Sequence, residues 1–157
     1  MFEVLVYMFE NYIDSQFRPD DHTLSRELTA AGFDEQDIIG AFHWFSQLES
    51  SLDKPEFLSH AQHANTRIFT EAELKKISGE SIGFILFLVN AKILNAAQRE
   101  LVIELAMSLP QLQISIEEMR WIALMTTWGA SQSGPDKTKE YLFIEDVLLN
   151  KEKPTVH

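Results

Sequence analysis

The sequence, 157 residues long, predicts an all-α fold: an N-terminal helix-turn-helix-like three-helix bundle followed by a C-terminal four- or five-helix bundle, with at most one short β-hairpin. Three observations carry that expectation. Apolar residues recur every three or four positions along most of the chain. Ser, Thr, Asp or Asn stands ahead of most of these runs, in several cases with an acid three residues later. Only Arg67-Ile68-Phe69 reads as a short strand, half of a wing-like hairpin.

Residues 2–13 hold nine apolar side chains in twelve. Their length and the stripe Phe2, Leu5, Phe9, Tyr12 and Ile13 favour a helix buried on most sides over a strand. Arg18-Pro19-Asp20-Asp21 marks a loop, because the residue before a proline avoids the helical region. Asp21 is expected to cap a second helix that buries Leu24, Leu28 and Ala31. Gly32 stands where a left-handed residue ends a helix, with apolar Phe33 next. Asp34 then caps a third helix, with Asp37 reaching back. Its buried face is Ile38, Ala41, Phe42, Phe45, Leu48 and Leu52, and Ile39 and Trp44 fall off that stripe.

Residues 49–66 are polar and irregular, which divides the chain into a module at 1–52, a linker at 53–66 and a bundle at 67–150. Residues 151–157 are expected to be a disordered tail. Thr70-Glu71-Ala72-Glu73 forms a capping box that opens a helix ending at Gly79. Residues 81–94 follow as a strongly apolar helix through Ile82, Ile85, Leu86, Leu88, Val89 and Ile93. Asn95 caps the next, with Leu101, Val102, Leu105 and Leu109 inward and Pro110 beyond its end. Ser115-Ile116-Glu117-Glu118 is a second capping box, opening a helix that presents Met119, Ile122, Met125 and Ala130. A flexible break at 129–135 precedes a last helix at 137–149, with Tyr141, Ile144, Val147 and Leu148 on one face.

Net charge is −11 and unevenly spread: residues 1–64 hold 3 basic and 12 acidic side chains, residues 65–157 hold 10 and 12. Such a surface repels phosphate backbones, whose binding needs cations that displace condensed counterions. There is no cysteine, which removes disulfides, thiolate nucleophiles and zinc fingers. Met1-Phe2-Glu3 is not expected to be a secretory signal, and the longest apolar run, 82–89, falls short of the roughly 20 residues a bilayer needs. The expected location is cytoplasmic, without membrane contact.

Catalytic chemistry finds little purchase. His60 and His63 form H-x-x-H, with His43 a conceivable third ligand, but in a segment without helical pattern and with no carboxylate in register. Asp20, Asp21 and His22 lack the glycine and distal Glu of a calcium loop. No serine sits in G-x-S-x-G, and no phosphate-cradling glycine loop occurs. The sequence therefore predicts no enzyme, cofactor, metal or small-molecule ligand. A DNA-reading third helix would carry Arg, Lys, Asn or Gln in its first turns. This one carries Asp34, Glu35 and Asp37, leaving Gln36 alone to read a base. The same unit resembles ubiquitin-associated-type and RecX-type modules, which grip proteins through an apolar patch; a purely architectural turn is the third option.

Met1-Phe2-Glu3-Val4-Leu5, the Ala31-Gly32-Phe33 turn, Arg67-Ile68-Phe69-Thr70 and Gly83-Phe84-Ile85-Leu86-Phe87-Leu88 resemble the Smg family of proteobacteria. So do Arg99-Glu100-Leu101-Val102-Ile103-Glu104 and Met119-Arg120-Trp121-Ile122-Ala123-Leu124-Met125. The resemblance covers nearly the whole length and implies no activity, cofactor or site residue. It does imply a gene neighbourhood, beside genes for a DNA-processing protein of natural transformation and for a peptide deformylase. The expected function is a non-catalytic adaptor that binds another protein, with Trp44, Arg67 and Trp128 as contact residues and Arg67 either an inter-module ion pair or an anion contact. The alternative is association with nucleic acid through the less acidic second half, at Lys75, Lys76, Lys92, Arg99 and Arg120, joined by Lys137 and Lys139.

Overall fold

The computed structural model describes residues 1–13, 19–54, 67–131 and 146. Among them run seven α-helices: α1 (Phe2–Met8), α2 (Asp21–Ala30), α3 (Glu35–Leu52), α4 (Glu71–Lys76), α5 (Gly79–Asn90), α6 (Ala96–Ser108) and α7 (Ile116–Ser131). A π-helical turn, Phe9–Ile13, continues α1. The fold is all-α. No strand forms among the described residues, and 67–69 carry no β pairing; a single parallel bridge joins Ile77 to Ile114. Asp146 is helical, while the rest of the predicted last helix and the tail lie outside the described residues, as do His60 and His63.

The chain divides into two compact units, Met1–Gln47 and Leu48–His157, with the division inside α3. In the first unit, α2 starts one residue earlier than its sequence implies: Asp20 is the cap, its Oδ1 accepting from the Thr23 N–H at 2.7 Å. Asp21 becomes the first helical residue, where the helix dipole favours a negative charge. Gly32, at φ +98, ends α2 in a Schellman turn, in which the Gly32 N–H donates to Thr29 O and the Phe33 N–H to Leu28 O. Asp34 caps α3, its Oδ2 accepting from the Gln36 N–H at 3.1 Å. Asp37 does not reach back; its carboxylate lies 3.0 Å from the Met1 ammonium.

The buried row of α3 is Ile38, Ala41, Trp44, Phe45, Leu48 and Ser51. Trp44 is only 2% exposed, so the expectation of a surface indole is overturned. The reason is helical geometry: Trp44 follows Ala41 by three residues and precedes Leu48 by four, which places all three on one face. Phe42 and Leu52 rotate to half-buried edges. In α1 and the turn that continues it the buried set is Val4, Leu5, Met8 and Phe9, which shares only Leu5 and Phe9 with the predicted stripe. Tyr7 meets the Phe33 ring edge-on at 5.3 Å and Tyr12 at 6.3 Å. The Glu27 carboxylate, accepting from the Tyr12 hydroxyl, pushes that phenol up to about 12, with partial burial adding to it.

In the second unit α5, α6 and α7 pack against one another. The caps of α6 and α7 are those read from the sequence. Asn95 and Gln98 bond reciprocally at 2.8 and 2.9 Å, as do Ser115 and Glu118 at 3.2 and 3.0 Å. Thr70 and Glu73 close the box of α4, but that helix stops at Lys76 rather than at Gly79. Ile77 turns extended to bridge Ile114, and Ser78 caps α5, so Gly79 begins a helix instead of ending one. The end of α5 is a second Schellman turn, with Lys92 in the left-handed position at φ 60. Gly129 is not part of a break: α7 runs through it to Ser131, and a Cβ at that position would collide with the Leu52 side chain.

Candidate functional site

The five cations expected to meet nucleic acid have different fates. Lys76 donates from Nζ to Met107 O at 2.8 Å and to Leu109 O, closing the carbonyl end of α6. Arg99 is buried, with Nε and Nη2 at 3.2 and 3.1 Å from Glu100 Oε1. Both are consumed by the fold. Lys75 stays exposed and pairs with Glu71 one turn earlier at 3.2 Å, and Lys92 is exposed in the turn after α5. Arg120 is half-buried on α7. Lys137 and Lys139 lie outside the described residues.

Arg67 is neither an inter-module bridge nor an open anion contact. Its Nη1 and Nη2 donate to the two oxygens of Glu73 at 2.6 and 2.8 Å, and its Nε to Glu100 Oε1 at 2.7 Å. All three residues belong to the unit Leu48–His157. The capping box of α4 fixes the Glu73 carboxylate, and the planar guanidinium fork fits it bidentately while lying over the Phe69 ring at 5.0 Å. Arg67 thereby holds the Glu73 carboxyl down to about 2, against the cost of its burial. Of the three tryptophans, Trp44 is in the core, and Trp128 is half-buried near the end of α7.

The surface that stands out was not singled out by the sequence reading. Helix α5 buries Ser81, Ile85 and Leu88 on one side. On the opposite side Gly83, Leu86, Phe87 and Asn90 follow the i, i+3, i+4, i+7 spacing of a single stripe, and all four are exposed, Leu86 at 40% and Phe87 at 48%. Ile82, Phe84 and Val89 fill the half-buried flanks. Exposed Glu80, three and four residues before Gly83 and Phe84, lies on that side as well. Leu86 lies about 100° around the helix from buried Ile85 and about 160° from buried Leu88. A signal is present in the run 82–89, interrupted only by Gly83, which contains more apolar residues than one core-facing stripe can use.

Gly83 adds a second anomaly. A Cβ there would meet nothing within 4 Å, so nothing in the described fold requires the glycine. In a helix interior glycine costs roughly 0.5–1 kcal/mol relative to alanine. Other exposed apolar side chains, Ile39, Ile68, Leu74 and Leu112, lie on separate segments, and single ones need no explanation. Among the described residues no group of three or more His, Asp or Glu side chains could hold a metal ion, and no helix is long and apolar enough to cross a membrane.

Comparison with known proteins gives one family. A family described as "Protein of unknown function (DUF494)" matches residues 1–157. A "Protein Smg homolog" of Methylobacillus flagellatus is 51% identical over 157 residues, covering all of both chains. Proteins of the same description from Shewanella woodyi and Shewanella frigidimarina are 37% and 36% identical over 161 residues, covering all of this chain and 99% of theirs. No solved structure matches the chain.

Proposed function

The chain belongs to the Smg family (DUF494), and from that premise and its own surfaces we propose that it is a non-catalytic protein-interaction module that receives a helical partner on the outer face of α5. The observation that carries this reading is the exposure of Leu86 and Phe87 beside Gly83 on one side of α5. Such a stripe is the receiving half of helix-in-groove recognition, where anchors at i, i+3 and i+4 spacing meet an apolar track. Gly83 supports it independently. A small residue that its own fold does not need lets a second backbone approach closely. The fate of the basic residues favours a protein over a nucleic acid: Lys76 and Arg99 are spent on internal acceptors, and the chain carries a net charge of −11.

A photo-crosslinking amino acid in place of Leu86 tests the reading in living cells. The expected result is one discrete adduct that Gly83→Leu abolishes, because a branched side chain blocks close approach. No adduct, or one indifferent to Gly83→Leu, refutes the docking face.

A further inference from the structure

We propose that the first unit carries a seat for an arginine side chain of a basic protein segment, formed by the Tyr7, Tyr12 and Phe33 rings with the Glu27 carboxylate beside them.

The seat is built by a departure from regular helix. In an α-helix, residues five apart lie about 140° around the axis, and their side chains do not meet. The π-helical turn at Phe9–Ile13 takes more residues per turn and swings Tyr12 back toward Tyr7, to 6.3 Å between ring centres. Asn11 braces the change, its Nδ2 donating to Tyr7 O at 2.8 Å. Such turns are rare and frequently mark functional sites. The last turn of α2 and the turn after it supply the other two groups. The Schellman turn at Gly32 delivers Phe33 edge-on to Tyr7 at 5.3 Å, and Glu27 accepts from the Tyr12 hydroxyl. All three rings are only half-buried and Glu27 is exposed, so each presents surface to solvent. A carboxylate accepts at about four sites, and Tyr12 takes one of them.

The chemistry narrows the ligand. Aromatic faces attract cations, and a carboxylate beside them selects a cation that lies flat on a ring and hydrogen-bonds in its own plane. A guanidinium does both, whereas an ammonium is a strongly hydrated point charge. The second unit shows the combination made within one chain: Arg67 lies over the Phe69 ring at 5.0 Å and grips Glu73 with both Nη atoms. The surroundings also favour a cation. Residues 1–47 hold nine acidic and two basic side chains, and α2 has no basic residue in its last turn to complement its dipole. Arg26, next to Glu27 in sequence, is exposed and stands about 100° away around α2. A phosphate or an acidic segment is repelled by Glu27, and a purely apolar one leaves its charge unanswered.

The seat does not depend on the α5 face, and its test leaves that reading untouched. The full chain with isotope-labelled aromatic rings is titrated with N-acetyl-arginine amide and followed by NMR. The expected result is a saturable movement of the Tyr7, Tyr12 and Phe33 ring signals, with N-acetyl-lysine amide binding about fivefold more weakly. Glu27→Gln keeps an acceptor for Tyr12 but removes the charge, and is expected to weaken the arginine probe by about fivefold with an unchanged thermal midpoint. Tyr12→Leu, which removes one ring, weakens it too. Rings that no probe moves mean a cluster that only packs α1 against the turn, and overturn the proposal. Equal binding of the arginine and lysine probes, or arginine binding unchanged by Glu27→Gln, overturns it as well. If Tyr12→Leu does not fold, the Glu27→Gln comparison decides alone.

Discussion

At the scale of single residues, two side chains picked from the sequence as contact groups prove to hold the fold together. Arg67 is enclosed by Glu73, Glu100 and the Phe69 ring, and Glu73 is 9% exposed. Removing one partner of such a pair leaves a desolvated charge behind. Glu73→Gln is expected to cost about 2 kcal/mol of stability at neutral pH, read from the urea midpoint. The pH dependence follows from the direction of the shift. The folded value, about 2, lies below the ordinary 4.5, so the contribution of Glu73 is complete above pH 4.5 and is lost as the pH falls toward 2. The variant should show a shallower stability loss over that window. Trp44 makes the same point for packing. With 2% of its surface exposed, Trp44→Ala should cost about 3–5 kcal/mol, and a loss below about 1 kcal/mol would contradict a core position.

At the scale of elements, local hydrogen bonding set most boundaries. The boxes at Thr70 and Ser115 and the cap at Asn95 satisfy orphan N–H groups with side chains three residues away, so a reader of the sequence finds them without knowing the fold. Asn95→Ala is expected to lose about 1 kcal/mol, measured by thermal or urea denaturation, with little effect on the α5 stripe. Sequence and structure part where a residue has two local uses. Gly79 resembles a helix stop, yet the Ile77–Ile114 bridge ends α4 earlier and leaves Ser78 free to cap α5. Gly129 resembles a loop, yet α7 keeps it because Leu52 occupies the space of its Cβ. Gly83 is the opposite case, with open space beside it. Gly83→Ala should therefore raise stability by about 0.5–1 kcal/mol while weakening the crosslink at position 86. A destabilised variant would mean the glycine serves its own fold.

At the scale of the whole molecule, charge and connectivity dominate. The division of the chain falls within α3 rather than in the polar stretch after it, so one helix contributes to both units. Its last turn supplies Leu52 to the second unit, where Gly129 receives it. The net charge of −11, together with the internal use of Lys76 and Arg99, predicts no mobility shift of DNA or RNA at micromolar protein, even at low ionic strength. A salt-sensitive shift would restore the nucleic-acid reading and point to Lys75, Lys92 and Arg120 as its contacts.

The sequence alone determined the helical class, the caps, the left-handed turn at Gly32 and the sign of the surface, because each depends on composition or on groups within about four residues of one another. Tertiary structure alone decided that Trp44 is inside, that Arg67 answers Glu73 and Glu100, and that Leu86 and Phe87 are exposed on α5. Those outcomes depend on which distant helices arrive against a given face. An apolar helix announces that it needs neighbours; only the assembled fold shows which of its sides they have reached.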